Sequence, residues 1–425
     1  MEAGANYNRP MADVKRDDVP WRIQFATYSI GLFATTMFYM SAVVVPLWLV
    51  SLETSPFLIG VVLGARHFLP LFFSIHGGAL IDRIGARRVL MFFGALGIVV
   101  PLLYPMFPYV WAVMLFQMVA GLGDSMGWLG AQVLIGKHMR GRALYTGRLS
   151  AAVRIGHLFA PPLIGWIWDA FGPWAAFSGL AVWGFGFVAS AAMLPANHEA
   201  DGTTAHDASP AARLTWRDLM PRMSEYAASF RLLAVPAIAV ALMAGMLSHV
   251  GGSMHSTFYV VWLDGIGMSG TTIGFLFAFS SLAAAAGAFL AGPASRTRKP
   301  YVVMFGCILT SVLALSATPL LGTAIVALAA GAALRGFTNG VNQPLVISTV
   351  LRSVGPEIQG KAVGIRGTAN RVSSIGSPMI MGALAEVAGL EASFYLIGIA
   401  VIVLTGLLAR HVARRPDLAR IGADD

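Results

Sequence analysis

The chain has 425 residues, of which 57% are hydrophobic and only 12% are charged. Its length alone would suggest two or three soluble domains, but a soluble protein cannot cover its surface with so few charged residues. The formal net charge of +9 would favour nucleic-acid binding only if the basic residues were clustered on a soluble face. The composition therefore excludes a soluble protein and indicates one that crosses a membrane many times. The single cysteine, Cys307, excludes an internal disulfide.

Residues 1–20 are polar and of mixed charge, and the apolar run that follows is long enough to span a bilayer. This start does not resemble a cleavable signal peptide. Beyond it, we predict twelve spanning helices from apolar stretches bounded by charges, proline or glycine. Their expected ranges are 22–50, 56–80, 87–107, 109–136, 144–168, 173–194, 230–262, 269–291, 300–319, 321–350, 361–385 and 391–412.

The distribution of Lys and Arg predicts the orientation of these helices. Four basic residues lie near the middle of predicted spans: Arg66, Arg154, Arg335 and Arg371. All others fall on one side of the predicted membrane. The loops on the other side contain acids and no Lys or Arg: Glu53, Asp169, Asp264, Glu386 and Glu391. Because cytoplasmic loops are enriched in Lys and Arg, we expect a multi-pass protein of the inner cell membrane with both termini in the cytoplasm. The basic charge is then a topology signal, and we expect no nucleic-acid partner.

The longest polar segment, residues 195–229, separates two halves of similar length. Its first part has the composition of a flexible linker, and residues 214–230 mix apolar and basic residues as a surface amphipathic helix does. We therefore expect an N-terminal bundle of six helices over 1–194 and a C-terminal bundle of six helices over 230–425.

The two halves also resemble each other in sequence. A shift of 217 residues pairs the last two spans of each half at six positions. The pairs are Arg154 with Arg371, Pro161 with Pro378, Gly165 with Gly382, Asp169 with Glu386, Gly172 with Gly389, and Phe177 with Phe394. Such an internal repeat is typical of transporters built from two halves around a central path.

A tight polar loop, residues 78–90, joins the second and third spans. Gly78 is expected to let two helices approach closely, and Gly85 permits the sharp turn. Asp82 places a negative charge where helix termini crowd together. Three arginines hold the loop on the positive side of the membrane: Arg83, Arg87 and Arg88.

This loop has the pattern G-x-L-x-D-R-x-G-x-R-R-x-L. It closely resembles the signature loop between the second and third helices of the major facilitator superfamily (MFS) of secondary transporters. The resemblance extends over residues 20–413. It implies an all-α membrane protein with twelve transmembrane helices in two pseudo-symmetric six-helix bundles. It further implies alternating access to one central site without ATP, a small-molecule substrate, a lipid bilayer as surroundings and a monomer.

An ionisable group in the middle of a membrane is a functional candidate, because its insertion costs about 2.5–3.5 kcal/mol or more. Asp124 is the only carboxylate that we expect at mid-depth. A carboxylate between a dry environment and a nearby arginine can load and release a proton as its surroundings change. The alternatives for Asp124 are a static ion pair that holds the fourth and fifth helices together, and a direct contact with cargo.

The four buried arginines cannot lose their protons and outnumber the single acid, so we expect an electropositive cavity. Guanidinium groups suit carboxylates, phosphates or sulfonates, which favours an anionic substrate held by Arg154, Arg335 or Arg371, with Arg66 nearer the gate. The alternative is that some of these side chains bond to helix carbonyls or point to the inner surface. Three amides at helical spacing from Arg335 indicate a wet helix face: Asn339, Asn342 and Gln343.

Other candidates are a tyrosine and three histidines. His249 and His255 interrupt the apolar run of the seventh span, and His157 lies one turn from Arg154. Each can titrate near neutrality or serve only as a hydrogen-bonded packing residue. We assign His157 to proton coupling beside Asp124, and His249 and Tyr39 to the cavity.

The fifth span carries a second family-like pattern. Its small residues Gly156, Pro161 and Gly165 resemble the antiporter motif of the superfamily, G-x-x-x-G-P-x-x-G-G, with two glycines replaced. This resemblance favours export. Export members usually carry an arginine before a glycine on the fourth helix, but here Ala120 precedes Gly121, and Arg335-Gly336 stands on the tenth span instead.

No phosphate-binding loop, metal-ligand spacing or catalytic triad pattern is present in the sequence, so we expect no enzyme, cofactor, metal or catalytic residue. The sequence predicts proton-coupled export of small anionic or amphipathic organic compounds. The alternative is uptake of an organic anion by proton symport or anion exchange. A transporter-like receptor is a third possibility, although the tails carry no signalling module.

Overall fold

A computed structural model describes residues 19–140, 142–195, 235–295, 300–352 and 359–415. Over these residues the protein is all-helical. The helices are α1 (Trp21–Ser51), α2 (Pro56–Ala65), α3 (Phe68–Ile84), α4 (Ala86–Met106), α5 (Val110–Met139), α6 (Ala143–Ala192), α7 (Pro236–His255), α8 (Phe258–Gly265), α9 (Gly270–Ser295), α10 (Pro300–Ser316), α11 (Thr318–Leu321), α12 (Ile325–Arg352), α13 (Gln359–Ala388) and α14 (Leu390–Ala413).

These helices correspond to the twelve predicted spans once three broken helices and one merged helix are recognised. Breaks separate α2 from α3, α7 from α8, and α10 from α11. Conversely, α6 contains the fifth and sixth spans, which meet at Gly172, where φ is +78°. A residue with a side chain rarely adopts this φ, so a glycine is required at that bend.

The break in the second span lies at Arg66 and His67, in the middle of the predicted membrane. Pro70 explains it. Proline has no N–H, and its ring clashes with the carbonyl four residues earlier, which here belongs to Arg66. The helix ends at Ala65 and starts again at Phe68, so two polar side chains stand at a discontinuity.

Eight of the described helices are long and apolar enough to cross a membrane. The 49-residue stretch Leu144–Ala192 counts once among them although it makes two passes. The helix α10 is apolar but short, and α12 and α13 are long but too polar to qualify. Helices α12 and α13 line a polar cavity, and a helix in that position need not be apolar on every face.

Each half packs its helices in the same way. In the first half, α1 packs on α5 and α6, α3 on α5, and α4 on α6. In the second half, α7 packs on α12 and α13, α9 on α12, and α10 on α14. The pairing therefore repeats helix by helix, as the two-bundle expectation requires.

The two halves meet most closely at one end of the bundle, which we name the closed end and define by Pro56–Gly60, Pro161–Asp169, Gly270–Gly274 and Pro378–Glu386. There α2 packs on α13, and α6 packs on α9. A Cβ at Gly165 would overlap the carbonyl oxygen of Gly270, and a Cβ at Gly382 would lie 2.5 Å from that of Pro56. Small residues thus let backbones touch across the halves.

Two acids complete the closed end. Asp169 accepts hydrogen bonds from the backbone N–H groups of Gly270 at 2.8 Å and Thr271 at 2.7 Å, at the start of α9. Glu386 accepts one from the N–H of Phe57 at 3.1 Å, at the start of α2. An acid of one half therefore caps a helix of the other half, and the two acids are related by the shift of 217 residues found in the sequence.

Some expectations lie outside the described residues. The linker at 195–229 is described only at Pro195, and the amphipathic helix expected at 214–230 is not described. In the loop after α3, Gly85 has φ of +97° and forms the expected turn. Gly78 does not make the expected close approach, because no atom lies within 4 Å of its Cβ position among the described residues; Gly77 does so instead, against Met126.

Candidate functional site

A cavity of about 260 Å³ lies in the middle of the bundle, next to the break between α2 and α3. No carboxylate is among the described residues that line it. Most of the lining belongs to the second half and is polar or aromatic: Phe38, Tyr39, His67, Ser248, His249, Gly252, Ser253, His255, Ser256, Phe277, Ser280, Ser281, Ala284, Arg335, Gly336, Asn339, Gln343 and Ser374.

Arg335 is the only Lys or Arg among these lining residues. Its side chain is 94% buried, and its Nη2 donates a hydrogen bond to the Ser280 hydroxyl at 2.6 Å. Its Nε has no hydrogen-bond partner among the described residues. No described acid forms a salt bridge with it. A buried guanidinium without a counter-ion is unfavourable unless a ligand supplies one.

Of the three amide residues on α12, two line the cavity and one does not. Asn339 and Gln343 follow Arg335 at one-turn spacing and line the cavity with it. The Oδ1 of Asn339 is buried and has no hydrogen-bond partner in the described part of the chain. Asn342 is not among the lining residues and is 1% exposed. Its Nδ2 donates to the hydroxyl of Ser248, a lining residue on α7, at 2.8 Å. Its assignment to substrate binding stays a prediction.

Asp124 forms a salt bridge with Arg66, and both side chains are almost fully buried. Arg66 also donates to the amide oxygen of Gln117 at 2.5 Å and lies over the Phe38 ring. The pair joins α5 to the discontinuity after α2. The alternative of a static pair that holds the fourth and fifth helices together is therefore corrected, because the partner is on the second span.

Arg371 connects the two halves rather than lining the cavity. It lies on α13, yet its Nη2 donates to Ser125 at 3.0 Å and its Nη1 lies 3.4 Å from the Nδ1 of His67. Ser125 is the neighbour of Asp124, so this guanidinium adds a second positive charge near the Arg66–Asp124 pair. Its assignment as a cargo ligand is not supported in this conformation.

Three histidines line the cavity and differ in their contacts. His249 lines the cavity and is hydrogen-bonded to Ser374 at 2.7 Å. His255 is 5% exposed and packs against Tyr259 and Phe277. His67 lines the cavity as well and was missed by the sequence analysis; the signal that points to it is Pro70, which breaks the helix there.

Tyr39 lines the cavity, as its assignment requires, and its ring centroid lies 3.9 Å from that of His157. His157 is behind this ring, and its Nε2 is buried without a partner among the described residues. Arg154 is exposed on α6 and is not among the lining residues. Its assignment to substrate binding therefore stays a prediction.

The two sequence motifs lie away from the cavity. In the loop after α3, Arg83 and Arg88 are exposed and Arg87 is partly exposed, whereas the side chain of Asp82 lies outside what the structure describes. Pro161 and Gly165 belong to the closed end, against α9. Gly156 packs on α1, where a Cβ would overlap the side chain of Thr36.

These features define a class of protein: a helical membrane protein with two repeated halves, a buried polar cavity between them and one closed end. Residues 27–249 and 241–424 each match the family model of the Major Facilitator Superfamily. The chain belongs to this superfamily of membrane transporters and is a secondary transporter rather than an enzyme.

Solved structures of transporters have the same fold. The nucleoside transporter NupG matches with a TM-score of 0.70 at 14% identity, covering 91% of this chain and 99% of that one. A bacterial homolog of the human lysosomal transporter Spinster, in an inward-facing and occupied conformation, matches with a TM-score of 0.71 at 14% identity over 95% and 98%. A D-xylose–proton symporter matches with a TM-score of 0.67 at 14% identity over 92% and 97%. This likeness concerns the fold alone.

Proposed function

We propose that this protein exports a small organic anion in exchange for protons. The observation that supports an anion is Arg335. It is a buried guanidinium that no described acid neutralises, and the described lining of its cavity contains no carboxylate. Hydroxyl, imidazole and amide groups beside it can donate hydrogen bonds to an acidic group. Phe38, Tyr39 and Phe277 offer aromatic surface to the remainder of a molecule that fits about 260 Å³.

Asp124 is the proton carrier in this proposal. In this conformation Arg66 pairs with it, and Arg371 of the other half is held beside it by Ser125. When the halves rotate and the cavity opens at the closed end, Arg371 moves away from the first half. Asp124 then loses one of two nearby positive charges, which favours proton binding. Asp124 releases the proton when Arg371 returns, so the proton is carried between the two sides.

The direction of export is supported by the antiporter-like residues on α6 and by charge movement. With the termini in the cytoplasm, the closed end faces outwards and the cavity is prepared to accept cargo from inside. Exit of a monovalent anion and entry of one proton move two charges in the favourable direction across a membrane that is negative inside. Each charge contributes about 2.3 kcal/mol per 100 mV. Uptake by symport with one proton would gain nothing from the potential.

The test uses purified protein in liposomes with a pH-sensitive dye inside. A panel of small carboxylates, matched amides and matched amines is added, and proton flux is compared between wild type and Asp124→Asn. We expect carboxylates alone to drive proton flux in the wild type and none of them to do so in the variant. Flux driven by amines would contradict an anion site, and unchanged flux in the variant would remove Asp124 from coupling.

A second measurement separates export from the alternative of symport or exchange. A potassium gradient with valinomycin sets the membrane potential while the pH gradient is held at zero. Proton antiport with an anion should accelerate severalfold when the potential favours net charge movement. Electroneutral symport or anion-for-anion exchange should not respond, and that result would replace export by uptake or exchange.

A further inference from the structure

The second and fourth helices of each half are joined by the same backbone contact. A Cβ at Gly121 on α5 would overlap the carbonyl oxygen of Arg66. In the other half, a Cβ at Gly336 on α12 would overlap the carbonyl oxygen of Ser280 on α9. These two contacts fix a register between the halves without any appeal to side chains. In that register Ser280 corresponds to Arg66, and Gly336 corresponds to Gly121.

A separate contact gives the same register for the second helix. A Cβ at Gly60 would overlap the carbonyl oxygen of Pro378, and one at Gly274 would overlap that of Pro161. The shift of 214 residues from Gly60 to Gly274 is the shift from Arg66 to Ser280. Three residues beyond the contact glycine of the fourth helix, the register then pairs Asp124 with Asn339.

The side chains at equivalent positions of the two halves differ in charge and in hydrogen-bond partners. In the first half, the guanidinium of Arg66 lies between the two helices and is neutralised by Asp124. In the second half, a guanidinium also lies between the two helices, but it comes from Arg335 and is bonded to Ser280. The position of the acid is occupied by Asn339, which lines the cavity. Its Oδ1 is a buried acceptor without a partner among the described residues, and its Nδ2 is the atom that can donate to a carboxylate. At these equivalent positions, the second half thus has a guanidinium between its two helices, as the first half does, but an amide in place of the carboxylate.

We infer that the cavity accepts the carboxylate of the cargo in the place that the Asp124 side chain fills in the other half, and that Asn339 determines this specificity by leaving the place uncharged. The inference rests on the proposed function and makes it narrower. The cargo is a molecule with one carboxylate group, held by Arg335 and Asn339, with the rest of it toward the aromatic wall. A dianion is disfavoured, since Arg335 is the one Lys or Arg among the described lining residues.

The physical basis is competition between a tethered and a free carboxylate. An aspartate at position 339 would be nearly isosteric with asparagine and would stand one helical turn from Arg335. A tethered group acts at a high effective concentration and would neutralise the guanidinium before any cargo arrives. A second carboxylate brought to the same place would meet a like charge in a poorly solvated cavity.

The experiment compares wild type with Asn339→Asp, using acetate, lactate and benzoate with acetamide, lactamide and benzamide as probes. Apparent affinity is measured by ligand-induced thermal stabilisation and by transport in liposomes. We expect the wild type to respond to the carboxylates and Asn339→Asp to lose about a hundredfold in apparent affinity for them. The ligand-free variant should melt no earlier than the wild type, because Arg335 gains a partner, and this separates lost binding from failed folding.

Two further variants locate the effect. Gln343→Glu adds the same charge one turn further along the same helix and should lose no more than about tenfold. Asn339→Ser keeps the position neutral but removes the amide donor, so its loss of apparent affinity for carboxylates should be clearly smaller than that of Asn339→Asp. An equal response of Asn339→Asp and wild type to carboxylates, or an equal loss in Gln343→Glu, would overturn the inference and leave the proposed function standing. A wild type that responds to none of the carboxylates would overturn both.

Discussion

Asp169 and Glu386 occupy equivalent positions in the two halves, and each accepts a backbone hydrogen bond from a helix of the opposite half. Around the cavity, equivalent positions differ: the first half has Arg66 and Asp124, whereas the second has Ser280 and Asn339. At the closed end, the two halves therefore make equivalent hydrogen bonds. At the centre, only the backbone contacts between helices are equivalent, and the side chains differ.

The difference follows from what each region must do. At the closed end, backbones touch through Gly165 and Gly382, so few residues other than glycine fit and the sequence is constrained in both halves. At the centre, the same close contacts hold the helices through Gly121 and Gly336, while the neighbouring side chains are free to differ. The closed-end contacts are equivalent in the two halves because each contact is made by both halves. The central residues differ because one half forms the Arg66–Asp124 ion pair and the other half lines the cavity with Arg335 and Asn339.

Removal of the cavity cation should have the largest effect. Arg335→Gln should lower carboxylate transport by more than about a hundredfold, because no other Lys or Arg is among the described lining residues. Arg335→Lys should fall in between, since an ammonium cannot form the paired contacts of a guanidinium. Arg154→Gln is the matched control; its exposed side chain is outside the lining, and transport should stay within about threefold of wild type. A larger loss in the control would place Arg154 at the cargo during the cycle.

Loss of a contact glycine at the closed end should have the next largest effect. Gly382→Ala brings a Cβ against the carbonyl oxygen of Pro56 and should reduce the population closed at this end by more than about tenfold. Spin labels at the exposed residues Leu58 and Val387 report the separation of α2 from α13. Gly376→Ala on the same helix meets nothing within 4 Å among described residues and should leave the label distance unchanged. Equal distances in both variants would contradict the closure role of Gly382.

The two acidic residues of the closed end should contribute differently to the stability of the closed conformation. Asp169 accepts bonds from two backbone N–H groups and from the Thr271 hydroxyl, whereas Glu386 accepts one. We expect Asp169→Ala to shift the open population about tenfold and Glu386→Ala about threefold, in line with measured helix-cap losses. Labels at Phe171 and Phe275 follow the first variant, and the α2–α13 labels follow the second. A larger shift in Glu386→Ala than in Asp169→Ala would show that the number of hydrogen bonds an acid accepts does not determine how much it stabilises the closed end.

Helix number and order could be predicted from the sequence because most spans are long apolar runs with clear boundaries. The exceptions have a physical cause. The helices α12 and α13 are less apolar than the other spans because they carry polar residues toward the cavity, although their ranges were predicted with the rest. The break at Arg66 was missed although Pro70 indicates it, since a proline inside an apolar run was not treated as a helix break.

The candidate site could be predicted in part. Counting from helix ends gives the depth of a residue, and this was enough to select Arg335 and Asp124. Depth does not give direction around the helix, so the static-pair alternative for Asp124 placed its partner on the fifth helix and not on the second. Direction is set by tertiary packing, here by glycine contacts between helices, and one sequence without the fold cannot supply it.

The smallest effect is expected at the other end of the bundle, in the last turns of α3. Gly78 lies in this helix with no described atom within 4 Å of its Cβ position, so Gly78→Ala should stabilise the protein by up to about 1 kcal/mol through helix propensity alone. Gly77→Ala places a Cβ 2.5 Å from the Sδ of Met126, a flexible side chain that can shift, so melting should fall only slightly. Thermal melting of both purified variants measures the contrast. A clear loss of stability in Gly78→Ala would mean that this end is packed as tightly as the closed end, and the difference between the two ends of the molecule would disappear.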